Sequence, residues 1–325
     1  LAASPDNPHA LYSLGLIELN AGHLDQALAL CSHGVKANPQ FVQLYYLQGA
    51  VWQAVGNQEE ALRSYDGALA VDPNSQEVLL NSGALLRAMF RHKEALERFN
   101  RILAINPNHV GALGNCGIML TEFKQSEPAI AMFEKLITIK PDFDYGLGLL
   151  FYERMHICDW GGLDTLGQQI VQGVREGKKV CKSLAFMCLS DEARDHQKAA
   201  QTFAAQQNPL QADVLWRGER YEHKRIRIAY VSPDLREHPV GHLMAGVFER
   251  HDKSRFETIA ISIGIDDQSR LRARMIKAFD HFIDARAMSA QQIARQMREM
   301  EVDIAIDLGG YTSDTRTAIF SYRPA

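Results

Sequence analysis

A period of 34 residues constrains this chain more than any other feature. Gly15, Gly49, Gly83 and Gly117 keep that step, as do Ala27, Ala61, Ala95 and Ala129, and Pro39, Pro73, Pro107 and Pro141. Two further positions repeat large apolar or aromatic residues: Leu11, Tyr45, Leu79 and Leu113, then Cys31, Tyr65, Phe99 and Phe133, with Cys the exception. A unit of this length that fixes small residues and closes on Pro holds two helices. The small residues let the helices approach, and Pro ends the second. One such pair cannot bury its apolar face alone, so units stack into a solenoid with a concave groove.

Period and pattern are those of the tetratricopeptide repeat. Residues 1–141 read as four repeats. Pro5 lies 34 before Pro39, so Leu1–Pro5 is expected to be the tail of an earlier unit. With no polar cap ahead of it, the array is expected to start inside a longer one. Grooves of this kind hold peptides, and acceptor proteins or peptides are the partners expected here. Asn81 and Asn115, also 34 apart, are candidates for holding a peptide backbone; Ser13 and Leu47 fill the same place in the first two units. The same asparagines could simply satisfy amides between repeats.

Composition sets outer limits. The 325 residues are 46% hydrophobic and 23% charged, with room for two or three domains. A formal net charge of −4 gives no electrostatic case for nucleic acid or an anionic membrane, and no apolar run approaches a membrane span. Five cysteines without C-x-x-C spacing read as reduced thiols of a cytoplasmic protein, most of them packed as small apolar residues. There is neither an initiator Met nor a signal peptide, and both ends are expected to be cut.

The period stops after residue 141, and 142–224 reads as a helical linker. Helices are expected over Tyr145–Ile157, Leu163–Glu176 and Asp195–Gln206, with Ser183–Ser190 as a short apolar plug. Trp160 is expected to anchor packing, and 207–224 to be a surface connector. Cys158-Asp159-Trp160 has neither a matched His nor ligand spacing, which argues against a thiol or metal centre.

From residue 225 strands alternate with helices: Ile226–Val231, Phe256–Ile263, His281–Asp284 and Val302–Leu308, with helices from Pro239, over Ser269–Phe279 and over Ser289–Met300. That order implies a parallel, doubly wound sheet. No G-x-G-x-x-G follows the first strand and no G-x-x-x-x-G-K-[ST] occurs, so the lobe is Rossmann-like in element order only, without a dinucleotide cofactor. In the helix from Pro239, the spacing of Val240, Leu243, Met244, Val247 and Phe248 predicts one apolar face on the sheet.

His238-Pro239 lies where an open sheet binds ligands, at a strand's carboxyl end and a helix start. A neutral imidazole there could take a proton from an attacking hydroxyl; it could equally be a helix cap. His242, one turn on, invites comparison with a zinc helix, but the Glu and third ligand are missing, so no metal is expected and His242 is expected to line the cleft or to pack. Asp307, Gly310, Tyr311 and Thr312 follow the fourth strand at the same edge and are candidates for substrate binding, together with Pro239.

YVSPDLREHPVGHL, DLGGYT and YRPA, together with the repeats, resemble the protein O-GlcNAc transferase and Spindly family. The resemblance implies an all-α tetratricopeptide superhelix followed by an α/β Rossmann-like lobe (225–325), the N-terminal half of a GT-B glycosyltransferase that stops before a second lobe. It implies transfer of GlcNAc from the donor substrate UDP-GlcNAc to Ser or Thr of proteins in the groove, inverting and without metal or other cofactor. A Spindly-type O-fucosyltransferase using GDP-fucose, or an inactive scaffold, are the alternatives. It places the His of the H-P pair at the sugar-donor site and G-Y-T at the acceptor side. Where animal enzymes carry a second His before the fourth strand's end, this chain has Asp303, expected in a buried strand. With half of the cleft missing, these residues alone are expected to be inactive.

Overall fold

Eight helices follow the 34-residue period in pairs: α1 (Pro8–Asn20) with α2 (Leu24–Ala37), α3 (Val42–Val55) with α4 (Gln58–Val71), α5 (Gln76–Ala88) with α6 (His92–Ile105), and α7 (Val110–Glu122) with α8 (Ser126–Ile139). The structure, a computed structural model, describes residues 4–211, 214–312 and 315–325; Leu1–Ala3 of the expected repeat tail lie outside them.

Each pair closes on one contact. A Cβ on Gly49 would stand 2.5 Å from Tyr65 Cε1, one on Gly83 2.6 Å from Phe99 Cε1, and one on Gly117 2.7 Å from Phe133 Cζ. The aromatic ring of the second helix thus lies on bare backbone of the first. In the first pair Cys31 replaces the ring, and a Cβ on Gly15 would stand 3.5 Å from its Sγ and 3.0 Å from Leu47 Cδ2 of the next pair. Ala27, Ala61, Ala95 and Ala129 are fully buried, as their spacing predicts.

The chain forms two compact units, one ending at Ile170 and one starting at Val171. The first holds the repeats and α9 (Gly146–His156), and α10 (Leu163–Arg175) runs across the boundary. Trp160 is 65% exposed, so it does not anchor packing as expected. It follows Cys158, whose φ of +55° turns the chain outward after α9. Cys31, Cys116 and Cys181 are buried, and Cys158 and Cys188 are exposed.

The second unit begins with α11 (Ser183–Phe186) and α12 (Ala193–Gln207). Four parallel strands follow, β1 (Ile226–Ser232), β2 (Phe256–Ser262), β3 (His281–Asp284) and β4 (Ile304–Asp307), in the order β3-β2-β1-β4. Register aligns Ile226 with Phe256, Ile259 with His281 and Val231 with Asp307. Alternate residues of β1 face opposite layers. Ile228 and Tyr230 pack with α13 (Pro239–Glu249) and α14 (Arg270–Ala278), while Ala229 and Val231 pack with α15 (Ala290–Glu299) and α16 (Ala318–Ser321). Ile293 and Met297 of α15 are buried as predicted, behind a capping box of Ser289 and Gln292.

Two expectations fail here for physical reasons. The buried stripe of α13 is Gly241, Ala245 and Phe248; Leu243 is 77% and Val247 47% exposed. Gly241 sets that rotation, because any Cβ there would overlap the Arg236 carbonyl. The 207–224 stretch is also more than a surface connector. Leu215 and Trp216 N–H donate to the carbonyls of Tyr322 and Arg323 at 2.8 and 2.9 Å, and Leu215 packs on the sheet core.

Candidate active site

In a sheet ordered β3-β2-β1-β4 the connections leave β1 toward β2 and return on its other side at β4. The crevice at the carboxyl ends of β1 and β4 is therefore the switch point, where open α/β sheets take their ligands. The loop after β1 carries His238 and the loop after β4 carries Asp307, Gly310, Tyr311 and Thr312. Parallel pairing of Val231 with Asp307 puts both loops on one rim.

His238 is the N-cap of α13, with extended backbone (φ −154°, ψ 151°) and Pro239 at the first helical position. Its ring is one-third exposed, and the Val240 N–H donates to Nδ1 at 3.3 Å. While Nδ1 accepts, the ring of a neutral imidazole carries its proton on Nε2, so Nε2 is a donor. Asp234 Oδ1 lies 3.6 Å from the same Nδ1. Turning Nδ1–H toward Asp234 would break the weak cap and free Nε2 to accept a proton. Only in that second arrangement would Nε2 be an acceptor.

Sequence reasoning missed what holds this loop. Arg272 of α14 is 3% exposed, and its Nη1 donates to the Leu235 carbonyl and to Ser262 Oγ, both at 3.0 Å. Asp266 lies 2.9 Å from its Nε, off the N–H direction, so that contact is ionic without being a hydrogen bond. One buried guanidinium therefore links the β1 loop, the end of β2 and the loop after it. Gly264 brings the loops after β1 and β2 together: a Cβ there would overlap the Pro233 carbonyl group. Asp267 accepts from the Glu237 N–H at 2.6 Å, with its carboxyl held below the ordinary range by backbone N–H donors despite partial burial. A Gly beyond a strand end was the one signal the sequence carried.

His242 does not join His238. Its ring is 61% exposed and lies 2.6 Å from Glu237 Oε1 on the outer face of α13, so it neither packs nor shares a ligand set. Among the described residues no three His, Cys, Asp or Glu side chains are placed to hold a metal ion.

Asp307 shapes its own loop. Its Oδ1 accepts from Gly309 N–H at 2.9 Å and Gly310 N–H at 3.1 Å, and Gly310 has φ +55°. Thr312 Oγ1 donates to the Gly309 carbonyl at 2.8 Å. Tyr311 is 41% exposed and meets Phe203 of α12 edge to face at 5.2 Å. Asp307, Gly310 and Tyr311 line a cavity of about 410 Å³ with Asn208, Leu210 and Phe320. An adjoining cavity of about 340 Å³ is lined by Tyr311, Thr312 and Arg316. Aromatic, hydroxyl and carboxylate groups around a hollow suit a polyhydroxylated or peptide ligand.

Asp303 lies at the opposite rim. It precedes β4, is half-buried, accepts from Arg227 N–H at 2.8 Å and stands 3.0 Å from His223 Nδ1. Whatever the His does in animal enzymes, this carboxylate is a clasp at the sheet's amino edge. His223 is held between Glu301 and Asp303, and those hydrogen bonds raise its pKa.

In the repeats, Asn81 Nδ2 donates to Tyr46 Oη at 2.9 Å and to the Glu77 carbonyl at 3.1 Å, and Asn115 Nδ2 donates to the Gly111 carbonyl at 2.8 Å. Tyr46 belongs to the preceding repeat, so Asn81 does bridge units. Neither Oδ1 has a partner among the described residues. Burial, with Glu77 beside it, pushes the Tyr46 hydroxyl up to about 12.

Residues 207–325 match glycosyl transferase family 41. The chain is 38% identical over 102 residues to the probable UDP-N-acetylglucosamine–peptide N-acetylglucosaminyltransferase SEC of Arabidopsis thaliana, covering 31% of this chain and 10% of that protein. It is 33% identical over 103 residues to the UDP-N-acetylglucosamine–peptide N-acetylglucosaminyltransferase of Caenorhabditis elegans, 31% of this chain and 9% of that one. A mutant O-GlcNAc transferase of Thermobaculum terrenum shares the fold at 21% identity and TM-score 0.50, over 87% of this chain and 49% of that one. The chain thus spans about half of that solved protein and about a tenth of the curated relatives.

Proposed function

We propose that this chain, whose residues 207–325 match glycosyl transferase family 41 behind a tetratricopeptide array, serves sugar transfer from a nucleotide sugar to a protein hydroxyl. The carrying observation is that the family match falls on the α/β unit whose two switch-point loops hold His238 and Asp307–Thr312. In the proposed step a Ser or Thr oxygen attacks the anomeric carbon. The bond from that carbon to the diphosphate breaks, the nucleotide leaves with the electron pair, and the hydroxyl proton passes to a base. His238 Nε2 is the proposed base, in the ring state whose Nδ1–H faces Asp234. Tyr311, Thr312 and Gly310 are proposed to border the acceptor side. Asn81 and Asn115, each with an unused amide oxygen, are proposed to accept from the acceptor's backbone in the groove.

UDP-GlcNAc is the proposed donor, supported by two relatives named as N-acetylglucosaminyltransferases. The test offers the complete open reading frame that encodes these residues UDP-GlcNAc and GDP-fucose in parallel, with intact-mass analysis of acceptor proteins. An N-acetylhexosamine adduct supports the reading. A deoxyhexose adduct reassigns the donor, and no adduct from either leaves an interaction scaffold.

A further inference from the structure

The outer surface of the α/β unit carries a second feature. A groove of about 450 Å³ runs between α13 and α14, lined by Glu249, Arg270, Ala273, Arg274, Lys277 and Ala278. Arg270, Arg274 and Lys277 fall at i, i+4 and i+7 and are all exposed. Arg274 is held by Glu249, through Nε at 2.6 Å and Nη2 at 2.7 Å, which fixes its guanidinium and leaves Nη1 unspent. Arg270 and Lys277 have no hydrogen bond or ion pair among the described residues. The floor is two alanines. With Glu249 spent on Arg274, Arg270 and Lys277 leave this face net positive in a chain whose net charge is −4.

We propose that this groove docks an acidic α-helix of a partner protein, with carboxylates at i, i+4 and i+7 meeting the three cations. Spacing selects the helix. At a rise of about 1.5 Å per residue, the cations lie about 6 and about 10.5 Å apart along α14, and a helix repeats those intervals on one face. An extended strand returns a side chain to one face only about every 6.7 Å, so its third carboxylate would point away. The small floor lets a helix sit close, and charge complementarity supplies orientation and salt dependence.

The test uses the 325-residue chain and a stapled, alanine-based fluorescent helix with Glu at i, i+4 and i+7, followed by anisotropy at low salt. A control peptide carries the same residues with Glu at i, i+2 and i+5. The matched peptide is expected to bind at least tenfold more tightly than the control. The Arg270→Glu, Lys277→Glu double variant is expected to lose at least tenfold; both positions are exposed, and the unfolding midpoint checks that it folds. If that variant does not fold, Arg270→Ala with Lys277→Ala takes its place. Equal binding of both peptides, no binding of either, or unchanged binding by the variant overturns the proposal. Phosphatidylserine vesicles displacing the matched peptide through the same residues would assign the groove to membranes and overturn it as well.

Discussion

The repeat array and the α/β unit bury their cores by opposite means. In the array every decisive contact lies within one repeat or between neighbours, as with Gly83 under Phe99 and Asn81 on Tyr46. In the α/β unit the decisive contacts join distant segments: Arg272 to Leu235, Asp303 to Arg227, Leu215 to Tyr322. A one-dimensional array shares its stability among equivalent joints. The sheet instead concentrates its stability in a few long-range fastenings, one of which, Arg272 on Leu235, lies beside the candidate site. Damage should therefore be graded in the array and abrupt in the sheet.

The largest effect is expected at Gly264. Alanine there would drive a Cβ into the Pro233 carbonyl, a backbone group that cannot swing aside, so a loss of about 3 kcal/mol or more is expected. Circular dichroism in urea would show the α/β unit melting early while the helical repeats persist. A wild-type profile would break the contrast between the two units. Next comes the array. Gly117→Ala should cost roughly 1–3 kcal/mol, because its Cβ would meet the Phe133 ring, whereas Gly15→Ala should cost under about 1 kcal/mol, because Cys31 leaves more room. Equal costs at both would show that the ring-on-glycine contact is not what closes each repeat.

The smallest effect concerns pH. His223 sits between Glu301 and Asp303, and its pKa is raised above the ordinary value near 6.5 by hydrogen bonds to Glu301 and then Asp303. Its contribution is complete below that ordinary value and is lost as pH climbs through the raised one. Wild type should therefore lose about 1 kcal/mol or less relative to His223→Gln on going from mildly acid to alkaline pH. A midpoint difference that stays flat across that window would show that this clasp does not fasten the amino edge.

The same contrast decides what could be seen in advance. All eight repeat helices were legible because the information recurs every 34 residues. Strand positions and parallel order in the α/β unit were legible too, since apolar runs alternate with helical spacing. The rotation of α13 was not. Apolar periodicity favoured Leu243 and Val247, but the close approach of Gly241 to the Arg236 carbonyl overrides it. Trp160 misled in the same way, because bulk alone does not say which side of a turn a residue faces. At the site, H-P announced a helix cap. Arg272 went unseen because a buried cation shows itself only through partners distant in sequence.

Turnover of the complete open reading frame and of its His238→Ala variant, with UDP-GlcNAc and a bound acceptor protein, addresses the switch-point rim most directly. The account predicts that turnover falls at least severalfold while acceptor affinity at the repeats stays unchanged. Undiminished turnover by the variant would contradict it, reducing His238 to the cap of α13.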